Sequence, residues 1–308
     1  DFVNLQTYTP GTMTLNSDKK EFRIKKGLWK NTTLWKLYSN AQTPFEWQKK
    51  LFAYARKKKI NCFSTPFDLE ALKLLESLRC PIYKIASFEI THLPLIKEVA
   101  KTKKPMIIST GTASLDEIKD AYNCALKNGS GKIILLYCVT NYPANSEDFN
   151  LNNIESLKKT FSCKVGLSDH SKGGEIAKLA LICGASVFEK HIALKDVKGP
   201  DYEFSLKGNE IKKYSDDLKK VYSLIKEKKF TRNKSEDFYK KYRRSIFIVK
   251  NIKKGEKFNN SNLKILRPSI GMEPKYFDKI IGKKSPSNFK QNIPLSKNIF
   301  NIIKKGRK

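Results

Sequence analysis

With 308 residues, 40% of them hydrophobic and 11% aromatic, the chain can bury a large core and exceeds the usual single domain, so one large unit and a small one are expected. The net charge of +31 would suit a nucleic-acid partner, but the excess is lysine scattered over helix faces and turns (Lys57 to Lys59, Lys103 and Lys104, Lys228 and Lys229, Lys283 and Lys284) with no recognition helix or stacking-aromatic motif, so none is expected. No apolar run nears the roughly 18 to 20 residues that span a bilayer, no signal-like N-terminus is present, and the six cysteines lie singly like buried thiols, which together read as a cytoplasmic protein without a membrane partner.

Strand-like runs occur near Phe2 to Gln6, Ile60 to Ser64, Tyr83 to Ala86, Met106 to Ser109, Ile133 to Tyr137, Lys164 to Leu167 and Ser186 to Glu189. Helical periodicity fills the stretches between and after them: Pro44 to Lys59, Asp68 to Leu78, His92 to Lys101, Ser114 to Lys127, Leu151 to Lys159, Gly174 to Cys183 and Gly208 to Lys228. Ser114 and Glu117 form a capping box that opens one of these helices, and Gly129 and Gly131 follow its end. Such alternation is the sign of a parallel sheet. A doubly wound sheet would show a glycine-rich phosphate turn after an early strand, and none is found. The expected fold is therefore an α/β (β/α)₈ TIM barrel that lacks its first β/α unit, because the chain offers seven units and starts directly in a strand. Residues 1–230 form this barrel, 231–241 a polar linker, and 242–308 a small mixed domain of short strands and glycine turns.

In such a barrel the working residues sit at the C-terminal ends of the strands. That rim offers Gln6 and Thr7, Ser64 and Thr65, Ser87 and Glu89, Ser109 and Thr110, Thr140 and Tyr142, then Ser168, Asp169 and His170, and His191, with Asp201 in the loop beyond. One isolated histidine usually satisfies a hydrogen bond near the core. Two of the three histidines at successive strand ends, His170 and His191, point instead to an open metal site. Each Ser or Thr alone suits a turn or cap, but their convergence suits an anion with many oxygens. Lys84 lies inside a strand-like run, where it either pairs with an anionic ligand or snorkels outward. Glu89 is either an acid/base or a solvated loop carboxylate.

The segments QTYTP, FSTPFD, KIASFEI, ISTGTASLDEI, YCVTNYPAN, GLSDH, EKH and GPDYEFSL occur in this order and resemble the sialic-acid synthase family, especially its pseudaminic-acid synthase branch. The N-acetylneuraminate branch usually has a GSGE-like stretch where this chain has Ala86 to Glu89. RRSIFIVKNIKKGE and ILRP resemble the antifreeze-like (SAF) C-terminal domain of the same enzymes. The resemblance implies condensation of phosphoenolpyruvate with a 2,4-diacetamido-2,4,6-trideoxy hexose of altrose type and water, giving pseudaminic acid and phosphate for surface-glycan or flagellin glycosylation. N-acetylneuraminate or legionaminate synthesis, or an inactive sugar-binding role, are the alternatives.

It further implies a divalent cation, Mn2+ or Mg2+, held by His170 and His191, with Glu89 as the catalytic acid/base. Thr65, Lys84, Ser87, Ser109, Thr140 and Ser168 would grip phosphoenolpyruvate. Gln6, Tyr142 and Asp201 would face the sugar, and Arg267 would reach the barrel of another subunit in a domain-crossed homodimer. Two departures stand out: Asn4 occupies a position where the family usually has lysine, and the family's first strand has no counterpart. Open strand edges and an incomplete pocket would follow, so the 308-residue chain is expected to be inactive or poorly folded.

Overall fold

The computed structural model describes residues 1–225 and 230–305. The chain divides into two compact units, Asp1–Lys226 and Glu227–Lys308.

The first unit is built on seven parallel strands: β1 (Phe2–Thr7), β2 (Asn61–Pro66), β3 (Tyr83–Ile85), β4 (Met106–Ser109), β5 (Ile133–Cys138), β6 (Lys164–Asp169) and β7 (Phe188–Lys190). They pair strictly in sequence order, β1 to β7, and each lies within one or two residues of the run that predicted it. Helices Phe45–Lys57, Leu69–Ser77, Leu93–Lys101, Leu115–Lys127, Asn152–Thr160 and Glu175–Ile182 connect successive strands, and Asn209–Ile225 follows the last. The final three residues expected in that last helix, 226 to 228, lie outside the described residues, as does Lys229. The capping box at Ser114 is formed: its hydroxyl accepts from the Glu117 N–H, and the Glu117 carboxylate accepts from the Ser114 N–H at 2.7 Å.

Strand faces turned to the helices are apolar because a parallel sheet is covered by its crossovers. Tyr83, Ile85, Met106, Ile108, Leu135, Val165 and Leu167 meet Leu75, Ile96, Val99, Ile118, Ala121, Ile154 and Ala177 in one continuous core. Each such burial stabilises by about 1.5–3 kcal/mol. Gly166 permits a close approach between neighbouring strands: a Cβ there would lie 2.1 Å from the carbonyl oxygen of Val187, so only glycine lets β7 settle beside β6.

Three features were not expected. The segment after β1 carries helix Pro10–Met13, a 3₁₀ turn at Lys20–Phe22 and helix Leu34–Ala41, elements of four, three and eight residues. The insertion after β7 is bracketed by the short parallel pair β8 (Ile192–Ala193) and β9 (Leu206–Lys207). Most of the stretch read as linker, 231–241, lies in a 3₁₀ helix, Lys234–Tyr242, whose start is capped by the Asn233 side chain at the Ser235 N–H.

The second unit contains a three-stranded antiparallel sheet, β10 (Ser245–Ile248) between β11 (Leu263–Leu266) and β12 (Ile293–Pro294), around its own core of Ile246, Ile248, Ile252, Phe258, Leu263, Met272, Ile280 and Leu295. No helix among the described residues is long and apolar enough to cross a membrane. The six cysteines are all free thiols.

Candidate active site

The C-terminal ends of β1 to β7 bring together the rim residues named from the sequence. Lys84 resolves its two readings by turning inward: it is 8% exposed, and its ammonium lies 3.1 Å from Glu189 Oε2. Ser168 donates to the same oxygen at 2.8 Å, and the Asn4 amide donates to Glu189 Oε1 at 3.0 Å. Thr65 in turn donates to Asn4 Oδ1 at 3.3 Å. Burial would raise the Glu189 carboxyl, but the Lys84 charge and the Ser168 and Lys84 hydrogen bonds outweigh it and hold the group below the ordinary glutamate range. Three residues expected to grip one anion therefore converge around one carboxylate.

Glu89 sits beyond Ser87 at the end of β3. Burial pushes its carboxyl up to about 7, against the pull of Lys84, and its Oε2 is buried without a protein hydrogen-bond partner. The buried Ser109 hydroxyl also has no protein partner. Buried polar atoms are normally satisfied, so unsatisfied ones converging on a rim mark a place built for ligand oxygens.

Between Ser87 and Thr140 lies Gly111, a residue of the segment ISTGTASLDEI with no expected role of its own. Its N–H donates to Ser87 Oγ at 3.2 Å, and a Cβ on it would lie 1.9 Å from Thr140 Oγ1 and 2.8 Å from Ser87 Oγ. Thr112 beside it has a φ of +64°, a costly conformation for a β-branched residue of the kind that gathers at functional sites. The backbone turn after β4 is thus tightened so that hydroxyls from the segments after β3 and after β5 can close over it.

The two histidines lie with ring centroids 5.3 Å apart. His170 Nδ1 faces the Val139 carbonyl oxygen at 2.9 Å, with Cys138 Sγ at 3.7 Å, and His191 Nδ1 faces Asp201 Oδ2 at 3.1 Å. A carbonyl or carboxylate oxygen can only accept, so each ring carries a proton on Nδ1, and in the neutral ring the lone pair is on Nε2. That is the arrangement of metal-ligating imidazoles, whose other nitrogen donates to a carbonyl or carboxylate. The donor set therefore fits a divalent cation. No group of three or more His, Cys, Asp or Glu side chains able to hold a metal occurs among the described residues, so the protein would supply two ligands and leave the remaining positions to substrate oxygens and water. The third histidine, His92, is structural: its Nδ1 accepts from the Leu95 N–H and caps a helix.

Tyr142 packs against His170 with ring centroids 4.4 Å apart and planes tilted by 43°, and lies 5.2 Å from Trp29, while Phe204 packs against His170 and His191 at 6.1 and 5.0 Å. Trp29 donates to the Pro200 carbonyl oxygen at 3.0 Å, tying the segment after β1 to the insertion that carries Asp201. Trp29, Phe204 and Glu189 were not singled out by the sequence. Glu189 had a signal: strand alternation places residues two apart, such as Glu189 and His191, on one face. Trp29 lies in a stretch without periodicity and offered none. Gln6, though on β1, has an exposed side chain, and its carbonyl oxygen accepts from Gln48 Nε2 at 3.2 Å. Arg267 belongs to the second unit, directly after β11.

Residues 1–230 match the NeuB family and residues 243–298 the SAF domain. The chain is 44% identical to the pseudaminic acid synthase of Helicobacter pylori over 96% of its own length and 88% of that protein. It is 35% identical to the N,N'-diacetyllegionaminic acid synthase of Campylobacter jejuni over 95% and 89%. Among solved structures it is similar to the N-acetylneuraminic acid synthetase of Leptospira borgpetersenii, with a TM-score of 0.67 at 31% identity over 77% of this chain and 79% of that one. The chain belongs to the NeuB family and carries a SAF domain after its curled parallel sheet.

Proposed function

We propose that the chain is a phosphoenolpyruvate-dependent synthase that condenses phosphoenolpyruvate with a 2,4-diacetamido-2,4,6-trideoxy hexose of altrose type and water, giving pseudaminic acid and phosphate. The observation that carries the reading is the meeting of Lys84, several hydroxyls, a proton-holding Glu89 and two Nδ1-protonated histidines on one rim. The identity of the relatives supports the choice of sugar.

In this reading Lys84, Thr65, Ser87, Ser109, Thr140 and Ser168 bind the phosphate and carboxylate oxygens of phosphoenolpyruvate, with Ser109 gaining the partner it lacks within the protein. His170 and His191 would hold Mn2+ or Mg2+, which when bound polarises the sugar aldehyde. Tyr142, Asp201 and Gln6 face the sugar and orient its aldehyde carbon toward C3 of phosphoenolpyruvate. The new C–C bond forms between those two carbons, water adds at C2, and phosphate departs with cleavage of its C–O bond. Glu89 moves the proton these steps require, since a carboxyl poised near neutrality both gives and takes one. A domain-crossed homodimer that brings Arg267 to a second copy's barrel, and a cytoplasmic location, belong to the same proposal.

Legionaminate or N-acetylneuraminate synthesis is the second reading, favoured by the 35% identity to the Campylobacter jejuni enzyme. Phosphate release from phosphoenolpyruvate, measured with Mn2+ and each acetamido sugar in turn, tests both. Open sheet edges argued for an inactive chain, but the rim groups meet and Asn4 on β1 reaches Glu189 on β7, so turnover is expected instead, faster with the altrose-type sugar than with the others. A preference for another sugar selects the second reading, and binding without turnover makes the chain a sugar-binding relative.

A further inference from the structure

The pocket has a counterpart on the opposite face of the same two strands. Asp169 and Lys190 are direct partners in the β6–β7 ladder, and each immediately precedes one of the paired histidines. Strand alternation turns Ser168, His170, Glu189 and His191 to the pocket and sends Asp169 and Lys190 the other way, toward Tyr214 of helix Asn209–Ile225. There the Lys190 ammonium meets Asp169 Oδ2 at 3.0 Å, with side chains 4% and 0% exposed. Asp169 Oδ1 accepts from both the N–H and the hydroxyl of Ser171, at 2.8 and 2.6 Å, and Lys190 also donates to the Ser171 carbonyl oxygen.

The peptide on each side of His170 is therefore fastened to the residue that precedes His191. A buried ion pair is a poor source of stability, because desolvation cancels most of the attraction and an apolar pair of equal volume does as well or better. What this one supplies and an apolar pair cannot is a fixed direction for two adjacent strand ends. We infer that Asp169 and Lys190 are positioning residues that set the separation and aim of the His170 and His191 imidazoles. The inference rests on reading those imidazoles as ligands of a divalent cation.

The test titrates Mn2+ into the full chain and follows the sharp electron paramagnetic resonance signal of the free aquo ion, alongside thermal unfolding. The double variant Asp169→Leu/Lys190→Met is expected to unfold at a temperature near that of the wild type and yet bind Mn2+ about 10-fold or more weakly, the usual cost of losing a group that orients ligands. Lys190→Arg, which keeps the pair, should bind Mn2+ nearly as tightly as the wild type. A folded double variant with wild-type affinity overturns the inference. Should the double variant not fold, Asp169→Asn carries the test: it keeps the shape, removes the charge, and is expected to lose several-fold in affinity, whereas unchanged affinity overturns the inference. If the wild type binds no Mn2+, or His170→Ala binds it equally well, the metal reading falls and this inference with it; binding lost in His170→Ala but kept in the double variant overturns the inference alone.

Discussion

Asn4 on the first strand of the sheet donates to Glu189 on the last at 3.0 Å, across 185 residues of sequence. The two edge strands of the seven-stranded sheet are thus joined by a side-chain hydrogen bond, and Glu189 draws hydrogen bonds from Asn4, Ser168 and Lys84. A carboxylate held among the same donors that an incoming anion needs weakens binding of that anion. A second cation at position 4 would offset it.

Asn4→Lys is accordingly expected to lower KM for phosphoenolpyruvate several-fold, with kcat little changed. Opposite charges about 4 Å apart gain about 4 kcal/mol at an effective dielectric of about 20, most of which Glu189 would absorb. The gain should shrink as ionic strength rises, because screening acts on this term. Steady-state kinetics at two salt concentrations check it; a KM that does not fall removes Asn4 as a determinant of anion affinity.

Glu89 carries a pH signature. Its folded pKa, raised by burial from 4.5 to about 7, exceeds its unfolded value, so the folded state binds the extra proton between those limits. Its contribution to stability is therefore most favourable below about 4.5 and falls as pH rises to about 7, by on the order of 3 kcal/mol. Glu89→Gln should abolish this part of the pH dependence, raise the unfolding temperature at pH 8 and reduce kcat by 10²-fold or more, as loss of a general acid/base does. Denaturant melts across pH, paired with phosphate-release rates, decide the matter; equal pH profiles for the two proteins would show that Glu89 is solvated after all.

Much of this architecture was readable because its signals are local. The apolar runs of β4 and β5 announce strands buried on both faces, and the Ser114 capping box announces a helix start. Lys84 was ambiguous because its direction depends on Glu189, a residue 105 positions away that no local pattern links to it. Trp29 was invisible for a similar reason: it is placed by the Pro200 carbonyl and by Tyr142, both contributed by distant loops. The role of Gly111 depends on how closely two neighbouring strand ends approach, a quantity that sequence spacing does not carry.

Gly111→Ala should injure binding more than folding. The added methyl would lie 1.9 Å from Thr140 Oγ1 and 2.8 Å from Ser87 Oγ, so both hydroxyls must retreat from the positions proposed to meet phosphoenolpyruvate. Overpacking of this kind costs about 1–3 kcal/mol of stability. KM for phosphoenolpyruvate is expected to rise at least 10-fold while that for the sugar changes little, because the groups proposed to face the sugar lie at Tyr142 and Asp201. Equal damage to both KM values would mean that the whole rim, not the anion subsite, has moved.

Metal removal separates the two imidazoles from the group that orients one of them. Mn2+ at about 100 times its Kd should stabilise the folded chain by about 2.7 kcal/mol, and a chelator should reverse this. His170→Ala and His191→Ala each remove one of the two proposed protein ligands and should erase the protection. Asp201→Ala leaves both imidazoles in place but frees the His191 ring to rotate and to change tautomer, since Asp201 Oδ2 at 3.1 Å is the acceptor that holds the Nδ1 proton. It should weaken Mn2+ binding by about 10- to 100-fold without abolishing it, so that high Mn2+ restores the protection in Asp201→Ala and not in the histidine variants. Thermal unfolding over a Mn2+ series distinguishes these behaviours, and full protection of His191→Ala would place the cation elsewhere.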